Sequence, residues 1–283
     1  MAHDVQPYAP PIPSAAPPRG PRALALALLL DLLILAVAVV AVSFALLAAV
    51  ASVRVLQLGI TAAEATRLGP AELLRLVGPG GVLLVLLAQN ALFVAVPAIR
   101  VRLLHGEPLA TIGLQARDPL RLALFGLGLG LLLLVGNAIL GALFAAAGIR
   151  QNQAEQYPLF AGDYVGQALF MLGAAVVVPI GEEVLFRGYI FSTLLRIGAG
   201  TPWGVPAAYA LSALLFGLAH ALAATQGAVA LIAATLVMGL VLAWAVRHTG
   251  SVLPSIVAHS VNNGVALLAL MTCINTPGLC PDS

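Results

Sequence analysis

The sequence predicts an all-α integral membrane protein, a polytopic bundle of about seven to eight transmembrane helices, and three features carry that prediction. Of the 283 residues, 61% are hydrophobic and 8% charged, whereas a soluble globular domain carries about 25% charged residues. The apolar residues fall in blocks of about twenty, the helix length that crosses roughly 30 Å of hydrocarbon. Polar residues separate the blocks or stand singly inside them. This composition excludes both a soluble globular fold and an intrinsically disordered chain.

Residues 1–22 contain Pro7, Pro10, Pro11, Pro13, Pro17, Pro18 and Pro21, a spacing that cannot bury a core and predicts a disordered, extended tail. Arg19 and Arg22 then precede an apolar run from Ala23 to about Ala51. This run exceeds a signal-peptide core and lacks a cleavage site, so it reads as a retained first span. Asp31 lies inside it, either as a functional intramembrane acid or as a residue near the interface. Further spans are expected at 80–99, 121–147, 165–186, 205–224, 227–246 and 252–272, which close a transmembrane domain over 23–272. Residues 273–283 form a short C-terminal tail. In the third span Gly126 and Gly130 make a small-xxx-small face suited to close helix contact.

All thirteen basic residues are Arg, and the net charge is only +2. They are scattered, so nucleic acid is not an expected partner. A cytoplasmic N-terminus puts nine of them on the cytoplasmic side (Arg19, Arg22, Arg100, Arg102, Arg117, Arg121, Arg187, Arg196 and Arg247) and leaves four outside (Arg54, Arg67, Arg75 and Arg150). That is the positive-inside asymmetry of a multi-pass protein, and the composition fits a bacterial inner membrane. The two cysteines, Cys273 and Cys280, follow the last apolar block. They supply neither a cysteine framework nor a cysteine zinc site, and pair as a disulfide only if that end lies outside the cytoplasm.

Function must lie with the polar residues of the last four spans: Glu182, Glu183, Arg187, His220, His259, Asn262 and Asn263. Each costs several kcal/mol if it faces lipid. On a helix Glu183 precedes Arg187 by four residues, the favourable order for an ion pair. Glu182 is rotated about 100° from Glu183 and points to another face, which leaves it suited to act as a general base. Phe216 and His220 share a face one turn apart, as do His259 and Asn263. A carboxylate and two imidazoles on three helices, with an amide beside them, can activate a water and stabilise an oxyanion. The same Glu182, His220 and His259 can ligate one divalent ion such as zinc with a position left open for water. A structural hydrogen-bond cluster is the bland alternative.

In this order on successive spans, Glu182-Glu183-xxx-Arg187, Phe216-xxx-His220 and His259-xxx-Asn263 resemble the three motifs of the CPBP family. These are the CAAX proteases and bacteriocin-processing enzymes, also called the Abi family, which include the type II CAAX prenyl endopeptidases. The resemblance covers about residues 165–270. It implies an intramembrane endopeptidase in which Glu182 and His220 activate the attacking water, and His259 with Asn263 stabilises the oxyanion. It makes Glu183 and Arg187 a supporting ion pair and sets Phe216 beside His220 in the cavity. It implies the bilayer and a peptide or membrane-protein substrate as partners, and leaves open the metal, the substrate's identity and the oligomeric state. Its rivals are a non-catalytic scaffold or a bacteriocin-immunity or partner-binding protein of the same fold, and a proton-coupled transporter.

Other intramembrane proteases fit less well. The chain has no His-Glu-x-x-His and no Gly-x-Ser-x-Gly in a span, and Asp163 lacks a second intramembrane Asp for an aspartyl dyad. Ser251, after Gly250, reads as a loop or cap residue. No internal repeat suggests a transporter. One tension arises from the predicted topology, which sets Glu182 toward the cytoplasmic half of its span and His220 near the outer end of the next. A long fourth helix, a broken fifth or an extra span would remove it.

Overall fold

A computed structural model describes residues 20–149, 157–221, 226–276 and 278–279. Among these every regular element is helical, and the long helices are α1 Pro21–Leu58, α2 Pro70–Ile99, α3 Pro119–Ala146, α4 Tyr164–Ile197, α5 Gly204–His220, α6 Ala228–Thr249 and α7 Leu253–Asn275. Six of them are long and apolar enough to cross a membrane, and α5 is a shorter apolar helix. Large apolar side chains turn outward along α1, among them Leu26, Phe44 and Leu56, which in a bilayer face lipid rather than water.

Local chemistry sets the ends. Pro21 opens α1, where its missing N–H is no loss, so helix begins two residues inside the expected tail. Residues 1–19 lie outside the described residues. Asp118 caps α3 through Arg121 N, and Asp163 caps α4 through Gly166 N. Ser251 accepts from Leu253 N in the turn before α7. Helix α7 runs on to Asn275, so Cys273 sits inside it rather than beyond the last span. Cys273 is not a free thiol, and Cys280 lies outside the described residues.

Several span edges differ from expectation: the first helix runs seven residues past Ala51 to Leu58 and the second begins at Pro70, ten residues before 80. The fourth helix continues eleven residues past Phe186 to Ile197, because Arg187 is fully buried and paired and so does not mark the water boundary. The fifth is helical from Gly204 to His220, and its expected end at 224 lies outside the described residues. Fifteen residues now separate Glu182 from the end of α4 and sixteen separate the start of α5 from His220. At about 1.5 Å per residue both lie some 22–24 Å from the α4–α5 turn, and the conflict of depths disappears. Helix α4 also contains two wide, π-type stretches, Gly173–Val177 and Val184–Phe191, which rephase the faces on either side of them.

Small residues let the helices close on one another. A Cβ on Gly126 would lie 2.6 Å from Pro254 O, and one on Gly130 would lie 2.8 Å from Val261 Cβ. The face they form seats α3 on α7. Gly130→Val is therefore expected to destabilise the protein by about 1–3 kcal/mol through overpacking. Gly136→Val, where a Cβ meets nothing within 4 Å, should be far milder, and equilibrium unfolding in mixed micelles compares the two.

Candidate active site

The site assembles where α4, α5 and α7 meet around Phe216, which is wholly buried. Its ring packs against Phe186 at 5.1 Å, His220 at 4.5 Å and His259 at 5.8 Å between centroids. The Arg187 guanidinium lies 3.8 Å from the ring centre, a cation–π contact in a desolvated place. The phenylalanine thus does more than line a cavity beside His220: its ring packs against Arg187 and both imidazoles.

Arg187 Nη1 donates to Glu183 Oε1 at 2.8 Å, and both side chains are essentially without exposure. The same Oε1 accepts from His259 Nδ1 at 2.9 Å. His220 Nδ1 faces the Phe216 carbonyl oxygen at 2.8 Å. Because only acceptors face the two Nδ1 atoms, each neutral ring carries its proton there and presents a lone pair at Nε2. Both Nε2 atoms turn to one acid: Glu182 Oε2 is 3.9 Å from His220 Nε2 and 3.9 Å from His259 Nε2.

Glu182 Oε2 is buried without a hydrogen-bond partner, as are Glu183 Oε2 and the Nε and Nη2 of Arg187. Three lone-pair atoms facing one gap repel unless a donor or a cation lies between them. A separation of 3.9 Å is too long for a hydrogen bond and within reach of one bridging oxygen. Two carboxylates, one guanidinium and two neutral imidazoles also leave one negative charge, which one proton or a cation balances.

The donor set fits a divalent ion in kind: two imidazole lone pairs and a carboxylate oxygen, each imidazole fixed through Nδ1 by an acceptor behind it. Among the described residues no three His, Cys, Asp or Glu groups are drawn together at ligand spacing.

Asn263 stands one turn beyond His259, and its Nδ2 donates to the Ala174 carbonyl at 3.1 Å while Oδ1 faces Asn262 Nδ2 at 3.4 Å. No hydrogen bond joins it to Glu182 or to either histidine. Asn262 accepts from Asn137 Nδ2 at 2.8 Å and so ties α7 to α3.

Other polar residues near the site were missed from sequence. Asn90 of α2 is 5% exposed, and its Oδ1 lies where a Cβ of Gly181 would be. Its Nδ2 donates to Leu86 O, so Oδ1 is left without a partner. Asn90 and Asn137 are polar residues inside apolar spans, a signal that was present outside the last four spans. Asp31 is buried among partners of its own: Arg100 Nε donates to it at 2.8 Å and the Tyr189 hydroxyl at 2.5 Å.

A family model described as type II CAAX prenyl endopeptidase Rce1-like matches residues 164–265. That segment holds Glu182, Glu183, Arg187, Phe216, His220, His259 and Asn263. Neither a curated protein nor a solved structure matches the chain.

Proposed function

We propose that the chain, whose residues 164–265 match the type II CAAX prenyl endopeptidase Rce1-like family model, is a CAAX-protease-like (CPBP) peptidase that hydrolyses peptide bonds of membrane-associated substrates with a water activated by Glu182. The observation that carries this reading is the unpartnered Glu182 Oε2 held 3.9 Å from both imidazole Nε2 atoms. A water in that gap meets a general base and two further polar groups at once.

In this mechanism Glu182 takes the proton of the water as its oxygen attacks the substrate carbonyl. His220, held by the Phe216 carbonyl, orients that water. The proton that balances the cluster resides on His259 Nε2, and Glu183 on the opposite nitrogen stabilises the resulting imidazolium. His259 then donates to the tetrahedral oxyanion, with the second N–H of the Asn263 amide beside it. Collapse of the intermediate expels the amine, which takes the proton from Glu182. Arg187 compensates Glu183, and Phe216 holds Arg187 and both rings in place.

A divalent ion would be held by Glu182, His220 and His259 and would supply Lewis-acid polarisation of water and carbonyl. The N-terminus is taken as cytoplasmic, from the arginine asymmetry.

The test of the mechanism is cleavage of membrane-tethered peptides by the purified protein before and after chelation. Cleavage that survives chelation marks a glutamate–histidine site working without a metal. Cleavage that is lost and returns with zinc marks a metal-dependent one. A protein that cuts no peptide under any of these conditions refutes the peptidase reading.

A further inference from the structure

A second buried polar cluster lies outside the residues that perform the proposed reaction. Helix α1 is buried along one stripe only, Leu24, Leu28, Asp31 and Leu35, and Asp31 is the polar member, 4% exposed. Its carboxylate is held from the wide turn Arg100–Leu104 that follows α2 by Arg100 Nε at 2.8 Å and from α4 by the Tyr189 hydroxyl at 2.5 Å. A charge placed in an apolar stripe weakens docking unless its partners are specified. Here one partner belongs to the helix that carries the acids of the site.

Tyr189 sits in the wide stretch Val184–Phe191, all eight residues of which are buried. Glu183 immediately precedes this stretch and Arg187 lies within it. A wide, π-type turn is a rare departure from the α-helix, and here side chains from outside it hold it in place. Two side chains brace it. Ser212 Oγ donates to the Phe186 carbonyl at 3.2 Å, and Tyr189 is tied to Asp31. From Tyr189 the chain of contacts runs two residues back to Arg187, from Arg187 to Glu183 Oε1, and from there to His259 Nδ1. Asp31 and Arg100 both lie outside the matched segment 164–265.

We propose that Asp31, held by Arg100, is a positioning residue for the candidate active site: by anchoring Tyr189 it fixes the wide stretch of α4, and with it the Arg187–Glu183 pair that orients His259. The first helix, beyond its role as a span, then sets the geometry of a site to which it contributes no reacting group. The effect on turnover rests on the peptidase reading; the effect on His259 does not.

The test uses the full-length purified protein as wild type, Asp31→Asn, Tyr189→Phe and Ser43→Ala, with the ¹⁵N resonance of His259 Nδ1 read beside kcat and KM. Ser43 is the control: it lies on the same helix and accepts from Gln89 Nε2 at 2.8 Å. Tyr189→Phe removes one hydroxyl and Asp31→Asn one charge. Both should shift the His259 resonance and lower kcat about 10- to 100-fold while KM changes little. Ser43→Ala should alter none of the three. Should Asp31→Asn not fold, Tyr189→Phe decides the matter alone. A folded Tyr189→Phe protein whose His259 resonance stays at the wild-type position overturns the proposal. A wild type that cuts no peptide sinks the peptidase reading instead, and the resonance still decides this one.

Discussion

Replacing Arg187 with methionine is expected to destabilise the protein by about 3–5 kcal/mol, the cost of leaving a buried carboxylate without its counter-ion. Glu183 has no exposure, and Arg187 is its cationic partner at 2.8 Å. The substitution also removes the guanidinium from the face of Phe216, and that ring is shared with both imidazoles. Joint replacement, Glu183→Gln with Arg187→Met, should restore most of the lost stability, because neither charge is then stranded and the glutamine carbonyl still accepts from His259. Equilibrium unfolding of the single and double variants in mixed micelles measures both effects. A single variant as stable as wild type would mean that water reaches Glu183 in the absence of the arginine.

Glu182→Gln should leave folding intact and lower turnover by about 10²- to 10⁴-fold, the usual contribution of a positioned general base. Glu182 Oε2 has no hydrogen bond to lose, and the imidazole nitrogens of His220 and His259 stand 3.9 Å away. Glutamine keeps the shape and removes the base. His220→Asn should cost a comparable factor, and the double variant should be scarcely worse than either single one, since groups that act as a unit lose their joint effect once. Losses that multiply in the double variant would assign the two residues to separate steps.

The fold and the candidate site were legible in the sequence to different depths. The apolar blocks marked the long helices, because a span must be about twenty residues and lipid admits few polar interruptions. The Glu183–Arg187 pair followed from helical spacing, and the contact face of Gly126 and Gly130 followed from a repeat of small residues. What failed had a common cause. Arg187 looked like the end of a span because a charge usually marks water, yet it is entirely buried and α4 continues to Ile197. The partners of Asp31 lie 69 and 158 residues away, beyond anything periodicity can reach. The wide stretches of α4 carry no sequence signature, although they set how Glu183 and Arg187 are presented. Asn90 meets Gly181 only because two helices cross there. Which amide hydrogen bonds Asn263 makes was equally hidden, since its acceptor is a carbonyl of another helix.

The central claim is that Glu182 activates a water held between His220 and His259. Its most direct measurement is hydrolysis of a membrane-tethered peptide in ¹⁸O-labelled water by wild type and by Glu182→Gln, with the products weighed by mass spectrometry. The account predicts that wild type releases a fragment whose new C-terminal carboxylate carries one labelled oxygen, and that the variant releases almost none. No labelled fragment from wild type, or equal amounts from both proteins, would contradict it.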